Sequence, residues 1–157
     1  WYTNLAETIT GIPVSDAQMA ITPCLKSFCF LPRNRHGSLA DTVLSVRKAQ
    51  WSRLAVTFPD KLAMVLLHRL DANEFGCFTE HAGVLIKHNG SYTYIEKTGG
   101  NGPFVRLDFT KLSDLAVYFG TLIYDRGNET FPRSFFTVND EEIVEVKLQQ
   151  PGRLVRK

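Results

Sequence analysis

Two turn signals divide the middle of this chain and set its architecture. Asn89-Gly90 separates the runs 81–87 and 91–98, and Gly99-Gly100-Asn101-Gly102 separates 91–98 from 103–109. Asn-Gly between two such runs favours a two-residue hairpin turn, and a glycine-rich linker favours a longer one. The three runs are therefore expected to form an antiparallel meander. A turn at Asn89-Gly90 also fixes the register. His88 then faces Ser91, Ile86 faces Thr93, Leu85 faces Tyr94 and Gly83 faces Glu96. Side chains alternate between the two faces of a strand, so His81, Gly83 and Leu85 share one face with Tyr92, Tyr94 and Glu96.

The rest of the chain supplies layers for that meander. Residues 62–70 are short, apolar and preceded by a turn at Phe58-Pro59-Asp60, so they read as a buried strand, with a helix as the alternative. Residues 38–51 read as a helix with Leu39, Val43, Val46 and Ala49 along one face. Residues 111–124 read as an amphipathic helix with Leu112, Leu115, Phe119 and Leu122 inward. Short strands at 134–138 and 143–148 complete the set. Near the N-terminus, Thr22 is a good N-cap, Pro23 suits the first helical position, and Leu25, Phe28 and Cys29 follow at helical spacing until Pro32. Helices first, then an antiparallel meander, then one more helix is an α+β order. A length of 157 residues suits one domain with a substantial core. Residues 1–21 read as an N-terminal extension and 149–157 as a flexible tail.

Composition narrows the function classes. A net charge of +2, with only a small cluster at Arg33, Arg35 and His36, leaves no electrostatic footprint for nucleic acid. The longest apolar run, 62–67, is too short to cross a bilayer. No signal peptide is visible, and the chain begins at Trp1, as a processed or trimmed chain would. Three cysteines leave at least one thiol outside any intramolecular disulfide. There is no Cys-x-x-Cys pair, and His68, His81 and His88 do not form a zinc pattern with the cysteines, so neither a metal nor another cofactor is expected.

The chemistry-bearing feature is a histidine that opens one hairpin strand and a glutamate that closes the next. In the expected register His81 and Glu96 are diagonal neighbours on one face, roughly 7–8 Å apart at Cβ. Gly83, opposite Glu96, has no side chain to block their approach. A carboxylate on one imidazole nitrogen fixes the tautomer and raises basicity at the other. The bland reading is a half-buried strand histidine and a solvated glutamate.

A basic imidazole needs a group to deprotonate. Cys24, expected in the first turn of a helix, is the best candidate, because backbone N–H groups and the helix dipole there stabilise a thiolate. The same N–H groups can hold an oxyanion. Cys29 reads as a core cysteine between Phe28 and Phe30. Cys77 reads as part of a loop entering a strand. Packing alone is the competing account of Cys24.

These residues resemble a known arrangement. A cysteine at a helix N-terminus, a strand-opening His81-Ala82-Gly83-Val84, and a polar residue ending the next strand are similar to the NlpC/P60 group of papain-like cysteine peptidases. A closer likeness, over roughly residues 75–143, is to a bacterial family, domain of unknown function 4300. It rests on EHAGVLI, YIEK, PFVRLDF and FTVNDEEI in that order. At the upstream cysteine that family has Asn-Cys-Arg where this chain has Pro23-Cys24-Leu25.

The resemblance implies a papain-like fold, with N-terminal helices on an antiparallel sheet, and a cysteine hydrolase acting without a cofactor. Cys24 is the expected nucleophile, His81 the base and Glu96 the residue that orients it. The expected partner is a peptide or cell-wall peptide substrate, and the expected setting is the bacterial periplasm, cell surface or exterior. Tyr92 and Tyr94, on the face of the dyad, are expected at the cleft, and Asn139, in the Asn139-Asp140 turn, is the candidate binding-loop residue. Packing and turn formation are the competing accounts of these three. His68, on a neighbouring strand, is a candidate supporting residue. An acyltransferase or thioesterase on the same fold, or a binding domain without catalysis, are the alternatives.

Overall fold

In the computed structural model the described residues are 2–13, 28–30, 39–70, 76–99, 101–125 and 134–146. In chain order they form α1 (Tyr2–Thr10), β1 (Phe28–Phe30), α2 (Leu39–Arg53), β2 (Leu62–Leu70), β3 (Gly76–His88), β4 (Ser91–Lys97), β5 (Phe104–Phe109), α3 (Leu112–Asp125), β6 (Ser134–Val138) and β7 (Glu142–Val146). Seven strands make one sheet. Six run in the order β5-β4-β3-β2-β6-β7, and β1 pairs with β3 off that path. Each pairing is antiparallel. With helices packed on the sheet, this is an α+β fold.

Helices cover both faces, which is why β2 is buried from Ala63 to His68. Ala63, Val65 and Leu67 project to one side, where Leu85, Tyr94, Phe136 and Val138 meet Leu115 and Phe119 of α3. Met64 and Leu66 project to the other side, with Ala82, Ala6 of α1 and Trp51 of α2. A strand buried on both faces reads as a continuous apolar run, as Leu62–Leu67 does. The inward residues of α3 are those its periodicity predicts, and Asp114 in its first turn complements the helix dipole.

The hairpin register matches expectation. Gly83 pairs with Glu96, Leu85 with Tyr94, Ile86 with Thr93 and His88 with Ser91. The tight turn needs a left-handed residue, and Gly90 supplies it at φ 80°.

Several expectations are corrected. Phe28–Phe30 form strand β1, not the middle of a helix, and Cys29 is the backbone partner of Cys77. Helical spacing is a local signal, and pairing with the distant residues 76–78 outweighs it. Cys77 accordingly lies inside β3, which begins five residues earlier than its apolar pattern suggests. The extension contains a helix, α1. On α2 the inward face carries Arg47, Gln50 and Trp51, while Ala49 is exposed. Arg47 is held inward by a buried anionic partner, Asp140. Cys24 and the expected helix start at Thr22-Pro23 lie outside the described residues.

Candidate functional site

The His81–Glu96 pair forms as the hairpin register requires. His81 Nε2 lies 2.7 Å from Glu96 Oε2, and both side chains are buried. Tyr94, two residues before Glu96 on the same face, donates its hydroxyl proton to Oε2 at 2.8 Å. Tyr118, from α3, donates to Oε1. Both carboxylate oxygens are therefore engaged, one by a tyrosine alone and one by a tyrosine beside the imidazole.

Burial opposes ionisation of Glu96, yet its pKa stays below the ordinary glutamate value. The contacts from His81, Tyr118 and Tyr94 to the charged form outweigh the desolvation cost. Burial, and then the Glu96 charge, push the Tyr94 hydroxyl well above the usual tyrosine range, so it stays a donor.

Gly83 has a sharper role than giving His81 room. A Cβ there would lie 2.5 Å from Cε2, Cζ and Oη of Tyr94. The bare backbone lets the tyrosine ring cross β3 and bring its hydroxyl to Glu96.

The sheet is split beside this pair. Along one edge of β3, β1 covers residues 76–78 and β4 covers residues 83–88. Among the described residues, Thr79 to Ala82 have no strand partner on that edge. His81 therefore sits at a notch between the start of β1 and the end of β4. The N-terminal end of β1 is the end nearer His81, because Phe28 pairs with Phe78 and Phe30 with Gly76.

A second buried cluster lies on the opposite face. Asp140 Oδ2 accepts from Arg47 Nε at 2.7 Å and from Trp51 Nε1 at 2.6 Å, and Oδ1 accepts from Thr137 Oγ1 at 2.8 Å. Thr137 Oγ1 also meets His68 Nε2 at 3.1 Å, and His68 Nδ1 meets Thr79 Oγ1 at 3.1 Å. Burial opposes the charge of Asp140, but Arg47 and the hydrogen bonds hold its carboxyl below the usual range. Burial, reinforced by Arg47, lowers His68 to about 3, so its ring is neutral at pH 7. Nothing local in the sequence connects Arg47, Trp51 and Asp140. The available signal was Arg47 and Trp51 one helical turn apart, with an acid in a distant turn.

The three expected binding residues are placed as follows. Tyr94 is fully buried and orients Glu96, so it does not line a cleft. Tyr92 stacks on Phe109 with ring centres 5.6 Å apart, away from the dyad. Asn139 is a turn residue at φ 54°, and its Oδ1 accepts from the Met64 N–H at 2.8 Å. It borders a cleft of about 480 Å³ with Lys48, Trp51 and Glu141, and neither His81 nor Glu96 lines that cleft. Its Oδ1 is engaged by the β2 backbone, as a turn reading explains, while the residue still borders the cleft.

No curated protein and no solved structure gives a significant match to the chain. No helix among the described residues is long and apolar enough to cross a membrane. The dyad, its glycine and the Asn139-Asp140 turn all lie within residues 27–143, which match the family described as Domain of unknown function (DUF4300), and the chain belongs to that family.

Proposed function

We propose that this chain is a papain-like cysteine hydrolase with Cys24 as nucleophile, His81 as general base and Glu96 as the residue that orients the imidazole. The observation that carries the reading is a buried imidazole–carboxylate pair beside a notch in the sheet, at the end where β1 begins. Cys24 precedes Phe28 by four residues, which span at most about 14 Å. Phe78, the partner of Phe28, precedes His81 by three strand residues, or about 10 Å. Chain length therefore permits the thiol to reach the imidazole. Cys24 lies just ahead of the family match, so its role rests on this reach and on the sequence.

In this mechanism Glu96 holds Nε2, which leaves Nδ1 to exchange the proton. The Cys24 thiolate attacks an amide carbonyl, and the tetrahedral intermediate collapses to a thioester as Nδ1–H protonates the departing amine. Water, deprotonated by Nδ1, then releases the acid and restores the thiol. The NlpC/P60-like His-x-Gly strand opening supports a bacterial cell-wall peptide as the substrate and a location outside the cytoplasm. A thioesterase or acyltransferase would use the same dyad on an ester.

A second reading has its own observation. His81 is only 5 % exposed, and Glu96 has two tyrosine donors as well as the imidazole. A purely structural polar cluster accounts for both facts. Site-resolved iodoacetamide alkylation separates the two. The hydrolase reading expects Cys24 to react fast below pH 7 and to slow in His81→Ala. Equal, slow reaction in both proteins, or reaction at Cys77 instead, favours the structural reading.

A further inference from the structure

Thr79 and His81 lie two residues apart on β3, and on a regular strand they would share a face. Here they do not. Thr79 bonds to His68 on the face of α1 and α2, while His81 contacts Glu96 on the face of α3. A β-bulge is the cause. Leu67 pairs with His81 and the next residue, His68, pairs with Thr79, so Glu80 is skipped in the register. Bulges re-aim the side chains that follow them.

The bulge is held from both sides. Glu80 forms an ion pair with Arg69 of β2, and both side chains are nearly buried. Thr79 is tied to a hydrogen-bond chain with one polarity. The single Thr137 hydroxyl proton goes to Asp140, so Thr137 Oγ1 accepts from His68 Nε2–H. His68 Nδ1 then carries no proton and accepts from Thr79 Oγ1–H. Stacking on Phe135, with centroids 4.9 Å apart, fixes the plane of the His68 ring.

We infer that Thr79 and His68 are positioning residues for His81: their hydrogen bond anchors one side of the Glu80 bulge to the α2 face, which keeps the His81 ring on the α3 face against Glu96. The catalytic consequence rests on the hydrolase reading above, whereas the positioning does not.

Thr79→Val removes the hydroxyl at nearly constant volume, and Thr79→Ser retains it. The primary readout is the ¹⁵N-edited NMR signature of the His81 ring, assigned with His81→Ala. The expected result is a shifted His81 signature in Thr79→Val and a wild-type signature in Thr79→Ser. Cys24 alkylation should fall about tenfold or more in the valine variant, since small misplacements of a reacting group carry penalties of that size. An unchanged His81 signature in Thr79→Val overturns the inference. So does an equal shift in the serine variant. Where valine prevents folding, Thr79→Ala against Thr79→Ser gives the same comparison. Slow Cys24 alkylation in the wild type counts against the hydrolase reading alone, and the NMR comparison still decides the positioning.

Discussion

Lowering the pH below 6.5 should destabilise the fold through His68 well before the carboxylates protonate. His68 is fully buried, and burial and Arg47 hold its pKa at about 3 rather than 6.5. Between those values the unfolded chain binds a proton that the folded chain refuses, so stability falls as pH falls. Each unit below the unfolded value costs about 1.4 kcal/mol, so the loss at pH 5 is about 2 kcal/mol relative to pH 7.5. Asp140 and Glu96 have lowered values, so their contribution is present above the unfolded carboxylate range and is lost at lower pH. The two windows separate. Urea denaturation followed by fluorescence suits the assay, because Trp51 is buried against this cluster. His68→Gln, which can donate to Thr137 and accept from Thr79 without titrating, is the control. A buried, neutral His68 predicts a slope between pH 6.5 and 5 in the wild type that flattens in the glutamine variant. Parallel curves for the two proteins over that interval would refute it.

Other substitutions test the remaining contacts, each by urea denaturation at pH 7. Gly83→Ala drives a methyl group into the Tyr94 ring, and overpacking of this kind should cost about 1–3 kcal/mol. Tyr94→Phe removes a buried donor to a charged acceptor and should cost about 1.5–3 kcal/mol. Asp140→Asn leaves the Arg47 guanidinium buried without its counter-charge and should cost about 3–5 kcal/mol. A change under about 0.5 kcal/mol in any of the three, the size of an ordinary surface substitution, would mean that the contact is not maintained in solution.

What could be read in the sequence was what neighbouring residues determine. Asn89-Gly90 sets its own turn, and the turn sets the register that makes His81 and Glu96 diagonal neighbours. The periodicity of residues 112–122 was enough to orient α3. The failures lie where distant contacts decide. Phe28-Cys29-Phe30 follow capping residues suited to a helix, but residues 76–78 recruit them as a strand. Ala49 matches a helical stripe, yet the buried Asp140 turns Arg47 inward instead. Tyr94 and Tyr118 meet at Glu96 only because a helix packs across the sheet. The Glu80 bulge has no turn residue to announce it, since it depends on His68 and Thr79 meeting across two strands.

The most direct test of the proposed triad is the ionisation of the Cys24 thiol, followed by thiolate absorbance in a Cys29→Ser/Cys77→Ser background. A nucleophile paired with His81 should titrate below about pH 7, and His81→Ala should return it towards the ordinary 8.5. Titration near 8.5 in both proteins would contradict the account and leave the His81–Glu96 pair as a structural element of the sheet.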